Sequence, residues 1–156
     1  MIYNLLKLLH VLSIILWVGG MAFTLFALRP ALGALEPPAR IRLMHDVLAR
    51  FFNLVLVAAL LTLVSGLWMI GRVAKAASQS GAGFDMPISW TVMATLGIVM
   101  IALFGHIRFA LFKRVRRALQ AGDWAAGAAA LEAIRTWVGL NFILGVATVC
   151  IILLTP

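Results

Sequence analysis

The sequence predicts an all-α membrane protein, a bundle of four transmembrane helices with both termini outside, and three observations carry that prediction. Of its 156 residues 64% are hydrophobic and 12% charged, with a mean hydropathy of +1.09, a balance outside the range of soluble globular chains. Four apolar runs, at about residues 4–28, 50–72, 87–108 and 136–155, each supply the roughly 20 residues needed to cross a hydrocarbon core. Most of the 13 basic residues lie in or beside the first and third connections, from Arg29 to Arg50 and from Arg108 to Arg135; only Lys7, Arg72 and Lys75 lie on the other side. The positive-inside rule then places both termini and the second connection outside, which in a Gram-negative bacterium means the periplasm. A single domain spanning residues 1–156 is expected, a multi-pass protein of the bacterial inner (plasma) membrane.

The first run is too long for the apolar region of a secretory signal and lacks a convincing small-x-small cleavage site, so it is expected to be a retained helix. Proline should stop it at Arg29-Pro30, with a short loop from Ala31 to Pro38. Helix two is expected to start at Pro37-Pro38 and to run through Arg40, Arg42, Met44, His45 and Arg50 before its apolar part, with Asp46 and Arg50 as an i,i+4 ion pair. Gly71 to Asp85, with Ser78-Gln79-Ser80-Gly81, reads as a polar, glycine-rich connection. Helix three starts near Pro87 and continues past the membrane into Arg108, Lys113, Arg114, Arg116 and Arg117. Asp123 is the expected N-cap of helix four, whose alanine-rich opening through Glu132 and Arg135 precedes its span.

Several function classes drop out. A lone Cys150 excludes an internal disulfide and a CxxC site. The formal net charge of +8 does not indicate nucleic acid, because the basic residues flank spans; the run from Lys113 to Arg117 reads as a topology signal touching anionic headgroups. Paired carboxylates, a Ser-His-Asp set and a phosphate loop are all lacking, which removes hydrolase and nucleotide chemistry.

The distinctive residue is His10, within the first span. An imidazole is costly among lipid tails and is expected to face other helices or a bound group. His10, Ser13, Trp17, Gly20 and Thr24 recur at i, i+3, i+7, i+10 and i+14, one polar and small stripe that should look inward. Ala58, Thr62, Ser65, Gly66 and Met69 on span two, and Asn141, Gly145, Thr148 and Thr155 on span four, form similar faces, the usual signature of close helix packing. Counted at about 1.5 Å per residue from the outer ends, His10, Met93 and Met69 fall at one outer level. One imidazole with one or two thioethers in a dry site suits Cu(I), or an axial pair on haem iron. Gap-filling is the ordinary role of methionine, and the chain has seven. Cys150 falls on the wrong face. Near the inner boundary, His45 is expected to be a solvated surface residue, and His106 divides evenly between interface residue and ligand.

Lys7-Leu8-Leu9-His10, Trp17-Val18-Gly19-Gly20-Met21-Ala22-Phe23, Leu28-Arg29-Pro30, Arg50-Phe51 and Ser65-Gly66 resemble the copper-resistance protein D family over essentially the whole chain. That resemblance implies an inner-membrane protein assigned to copper movement into the cytoplasm or to copper tolerance. The first-helix pattern is also similar, more distantly, to HemJ-type protoporphyrinogen oxidases, four-helix proteins that bind haem b, in which a first-helix histidine and a third-helix lysine matter. By that likeness His10 takes the histidine role, while span three carries Met93 and Ala94 where a lysine would stand.

Three readings follow. In the first, a transport or resistance protein handles copper as Cu(I) at an outer site of His10, Met69 and Met93, with Met21, His106 and Met44 or His45 available for passage inward. A periplasmic copper carrier would be the partner. In the second, His10 ligates haem b, with Met93 as a further ligand and Lys7, one turn away, pairing with a propionate. Electrons would then pass between a quinone and an outer acceptor, and only in this reading is the protein an enzyme, a haem-dependent oxidoreductase. In the third, the chain is a structural membrane subunit without a cofactor. The oligomeric state is open, a homo-oligomer included, and in every reading the lipid bilayer is the surrounding partner.

Overall fold

The structure is a computed structural model that describes residues 1–81 and 83–154. Four long helices account for nearly all of them: α1 (Ile2–Ala34), α2 (Pro37–Gln79), α3 (Ile88–Ala121) and α4 (Trp124–Leu154), each long and apolar enough to cross a membrane. The protein is a multi-pass membrane protein. Its outward surface fits that setting: α2 alone turns Leu54, Val57, Leu61, Val64 and Trp68 away from the bundle, where lipid tails replace water as the solvent of these side chains.

The helices run further than their apolar segments. Pro30 does not end α1. Thr24–Leu28 widens into a π-turn, after which Arg29–Ala31 and a 3₁₀ turn at Leu32–Ala34 carry the helix on to Ala34. In the π-turn the Arg29 N–H reaches back to the Thr24 carbonyl, and this local shift of register lets proline, which has no N–H to give, follow without a break. The expected connection from Gly71 also needs correction, since α2 continues to Gln79. Arg72, Ala74, Lys75, Ala76 and Ala77 are strong helix formers and outweigh Gly71. The helix stops at Ser80-Gly81, where Gly81 takes φ +73°. A second π-turn, at Ile107–Leu111, lets α3 leave the apolar segment and continue as an amphipathic helix. Phe112, Val115 and Ala118 are buried there, and Lys113, Arg114, Arg116 and Arg117 are exposed. Gly122, at φ +67°, ends it, and Asp123 caps α4 as expected, its Oδ1 accepting from the Ala126 N–H at 2.9 Å.

α1 packs chiefly on α2 and α3 chiefly on α4, with α4 also touching both α1 and α2. The two pairs meet in the half of the bundle away from the termini. Phe52 of α2 sits edge-on to Phe104 and Phe112 of α3 at 6.0 and 5.3 Å, and Trp17 of α1 is edge-on to Phe104 at 5.9 Å. Two glycines allow close approach: a Cβ on Gly20 would run into the Phe51 ring, and one on Gly145 would meet Val18 at 2.9 Å and the Met100 methyl at 3.1 Å. Toward the termini the packing thins, and no described residue of α3 before Met100 is buried.

Candidate functional site

Of the expected inward stripe of α1, His10, Ser13, Trp17 and Thr24 are buried and Gly20 is half-buried, and Met21, outside that stripe, is buried as well. His10, 9% exposed, meets α2. Its Nδ1 lies 3.0 Å from the Ser65 hydroxyl oxygen. Ser65 itself donates to the Leu61 carbonyl at 2.5 Å, its oxygen 3.2 Å from the Thr62 carbonyl. A hydroxyl has one proton to give. With that proton turned to the helix backbone, Ser65 faces His10 as an acceptor, and Nδ1 carries the hydrogen. Nε2 is then the nitrogen with the free lone pair. A ring held through one nitrogen with the other open is how protein scaffolds orient a histidine toward a metal.

Gly66 completes the seat. A Cβ there would come within 3.2 Å of His10 Cε1 and 3.7 Å of Nδ1, so the missing side chain is what lets the imidazole lie against α2. The Thr62 hydroxyl oxygen is buried without a hydrogen-bond partner. Ser65 is missing from the ligand set expected from sequence. Its signal was available, because Ser65 lies about seven residues in from Arg72, the depth at which His10 stands on the antiparallel first helix.

The remaining candidates spread over the molecule. Met69 is half-buried one turn beyond Ser65 toward the termini, about 6 Å further out along α2. Met93 is half-buried on α3. Two contact sets, Trp17 on Phe104 and Val18 on Gly145 with Asn141 on the Met100 carbonyl, bracket the level of His10 on α3 between residues 88 and 97, and Met93 falls inside that bracket. Lys7 is exposed one turn from His10. His106 is exposed and lies edge-on to Trp137 at 5.2 Å. It stands at least about 13 Å further along the bundle than His10 by helical rise, so one ion cannot bind both.

His45 departs from the expectation of a solvated residue. It is half-buried, stacked flat on Phe112 at 5.0 Å, and its Nδ1 is 3.0 Å from Asp46 Oδ1. That contact also replaces the expected pairing of Asp46 with Arg50, because stacking on Phe112 brings the imidazole to the carboxylate while Arg50 stays exposed. Cys150 is exposed, away from the interior, as its helical phase implies. Thr155 lies outside the described residues. Among the described residues no group of three or more His, Cys, Asp or Glu side chains stands close enough to hold a metal, so any metal bound here would draw on one imidazole and softer or backbone donors.

Fold and site together define a four-helix multi-pass membrane protein with one buried histidine shared between its first two helices. Residues 45–155 match the family described as Copper resistance protein D, and the chain belongs to that family of membrane proteins linked to copper resistance. The match takes in α3, α4 and most of α2, including Ser65 and Gly66; α1 with His10 precedes it. Comparison with curated proteins and with solved structures returns no match.

Proposed function

We propose that this protein handles copper at the inner membrane, capturing Cu(I) as its cargo at the level of His10. The observation that carries the reading is the buried His10–Ser65 pair; with Nδ1 giving its hydrogen to Ser65, Nε2 would be the nitrogen that meets the ion. Cu(I) is soft, tolerates two or three ligands and prefers nitrogen and thioether donors in sites with little water. Met93 on α3 and Met69 on α2 are the thioethers this reading assigns to the site. Both termini would face outside, so the site would open to the periplasm and a copper carrier there. Met21, Met44 and Met100, all buried, offer soft side chains further along the bundle, and His106 would belong to a separate inner station.

A second reading, haem b on His10, is favoured by one feature: Gly97 of α3 faces open space, with nothing within 4 Å of where its Cβ would stand. The loose packing near the termini could admit a flat ring, with Met93 opposite and Lys7 at a propionate. The optical spectrum of the purified protein separates the two. A colourless protein that binds Cu(I) in a chelator competition and loses that binding in His10→Ala is the expected result. A Soret band with sharp reduced α and β bands would overturn copper capture as the primary activity.

A further inference from the structure

We infer that the end of the bundle away from the termini carries a binding site for a phosphate-bearing anion, most simply the headgroup of an anionic phospholipid. A cavity of about 320 Å³ opens there between α1, α2 and α4. Its rim holds Arg29, Arg40, Arg135 and Glu132, and its wall is apolar, with Leu25 and Ile41 among the lining residues. Three guanidinium groups face one carboxylate. Glu132 is shared, taking Arg29 at 2.6 Å and Arg135 at 3.4 Å, which leaves two positive charges without a balancing acid at the cavity.

Two of the arginines are tied to backbone carbonyls, while Arg135 is exposed and, among the described residues, meets only Glu132 on its own helix. Arg29, its side chain 18% exposed, also donates to the Leu131 carbonyl at 3.2 Å. Arg40 donates from one terminal nitrogen to the Gly33 and Leu35 carbonyls at 3.2 and 3.0 Å, and among the described residues its other N–H groups have no partner. Arg29 spends both terminal nitrogens on Leu131 and Glu132, so Arg40, with Arg135 across the cavity on α4, supplies the N–H groups left to meet phosphate oxygens, which planar guanidinium forks match in pairs. The apolar wall argues for a lipid over a soluble anion: with the phosphate on the rim, the glycerol and first methylenes would lie against Leu25 and Ile41. Basic pockets between transmembrane helices are suited to such headgroups. The site is independent of His10, which lies toward the opposite end.

The test is native mass spectrometry of the full-length protein, released from detergent after exposure to phosphatidylglycerol, cardiolipin or phosphatidylcholine, with inorganic phosphate as competitor. Anionic lipid should be retained over phosphatidylcholine, and the Arg40→Gln/Arg135→Gln double variant should lose about twenty-five-fold in affinity, two basic residues at roughly fivefold each. Displacement by millimolar inorganic phosphate would keep the phosphate site and make soluble phosphate its source. Equal retention by wild type and the double variant would overturn the proposal. So would an equal loss in Arg114→Gln/Arg117→Gln, whose charges lie on the exposed face of α3. Both variants should match wild type in thermal stability in phosphatidylcholine, so a lost lipid signal is not a lost fold.

Discussion

Replacing Ser65 by alanine isolates the contact on which the copper reading depends. Ser65 is 3% exposed, its hydroxyl oxygen 3.0 Å from His10 Nδ1; with the hydroxyl proton given to Leu61 it accepts from that nitrogen, and in Ser65→Ala the N–H faces a methyl group. In a soluble core a stranded donor costs about 1–3 kcal/mol, but polar pairs inside bilayers average about 0.6 kcal/mol and reach about 1.7, because the unfolded helices also find partners. Stability should therefore fall by only about 1 kcal/mol in an SDS-unfolding titration. Metal affinity should respond more strongly, since removing a group that orients a ligating histidine typically costs 10- to 100-fold. The two readouts thus separate an orienting contact from a merely packing one. The measurement is a Cu(I) competition titration with a colorimetric chelator on wild type, Ser65→Ala and His10→Ala. A Ser65→Ala affinity within twofold of wild type, beside a His10→Ala protein that no longer binds, would refute the assigned tautomer and the orienting role.

Three further perturbations follow from the packing. Gly66→Ala should push the imidazole by a few tenths of an ångström, since its Cβ would sit 3.2 Å from His10 Cε1; Cu(I) affinity should drop by about tenfold while unfolding shifts by under about 1.5 kcal/mol, and an unchanged affinity would show that the ring need not lie against α2. Gly20→Ala meets the Phe51 ring and should destabilise by about 1–3 kcal/mol through overpacking, with much of the loss recovered in Gly20→Ala/Phe51→Leu when both are measured by SDS unfolding. Asn141→Leu removes a 3.3 Å bond to the Met100 carbonyl together with a buried Oδ1 that has no partner. The two effects oppose each other, so stability should stay within about 1 kcal/mol; a larger loss in the same titration would mean that Oδ1 has a partner in the membrane.

Membership of the copper resistance protein D family rests on residues 45–155, whereas the histidine that makes a copper site conceivable stands before them, on α1. What joins the two is the geometry of one helix pair: Ser65 and Gly66, inside the matched stretch, form the seat of His10. The family match and the buried imidazole therefore meet at a contact that neither contains alone.

By itself the sequence determined the four spans, the inward stripe from His10 to Thr24, the capping of α4 by Asp123 and the outward phase of Cys150. Each depends on hydrophobic length, helical period or a local hydrogen bond, all written in consecutive residues. Only the tertiary structure decided what His10 touches. Phase and depth named Met69 and Met93 as neighbours because soft ligands suit copper, yet the nearest partner is a hydroxyl on the antiparallel helix, brought there by the side-by-side packing of α1 and α2. His45 is the same kind of case, its stacking partner Phe112 standing on a different helix, just after the π-turn of α3. Pro30 and Gly71 mislead for a related reason: a helix end is settled by whether the next turn can satisfy its backbone, and in a long bundle the neighbouring turns often can.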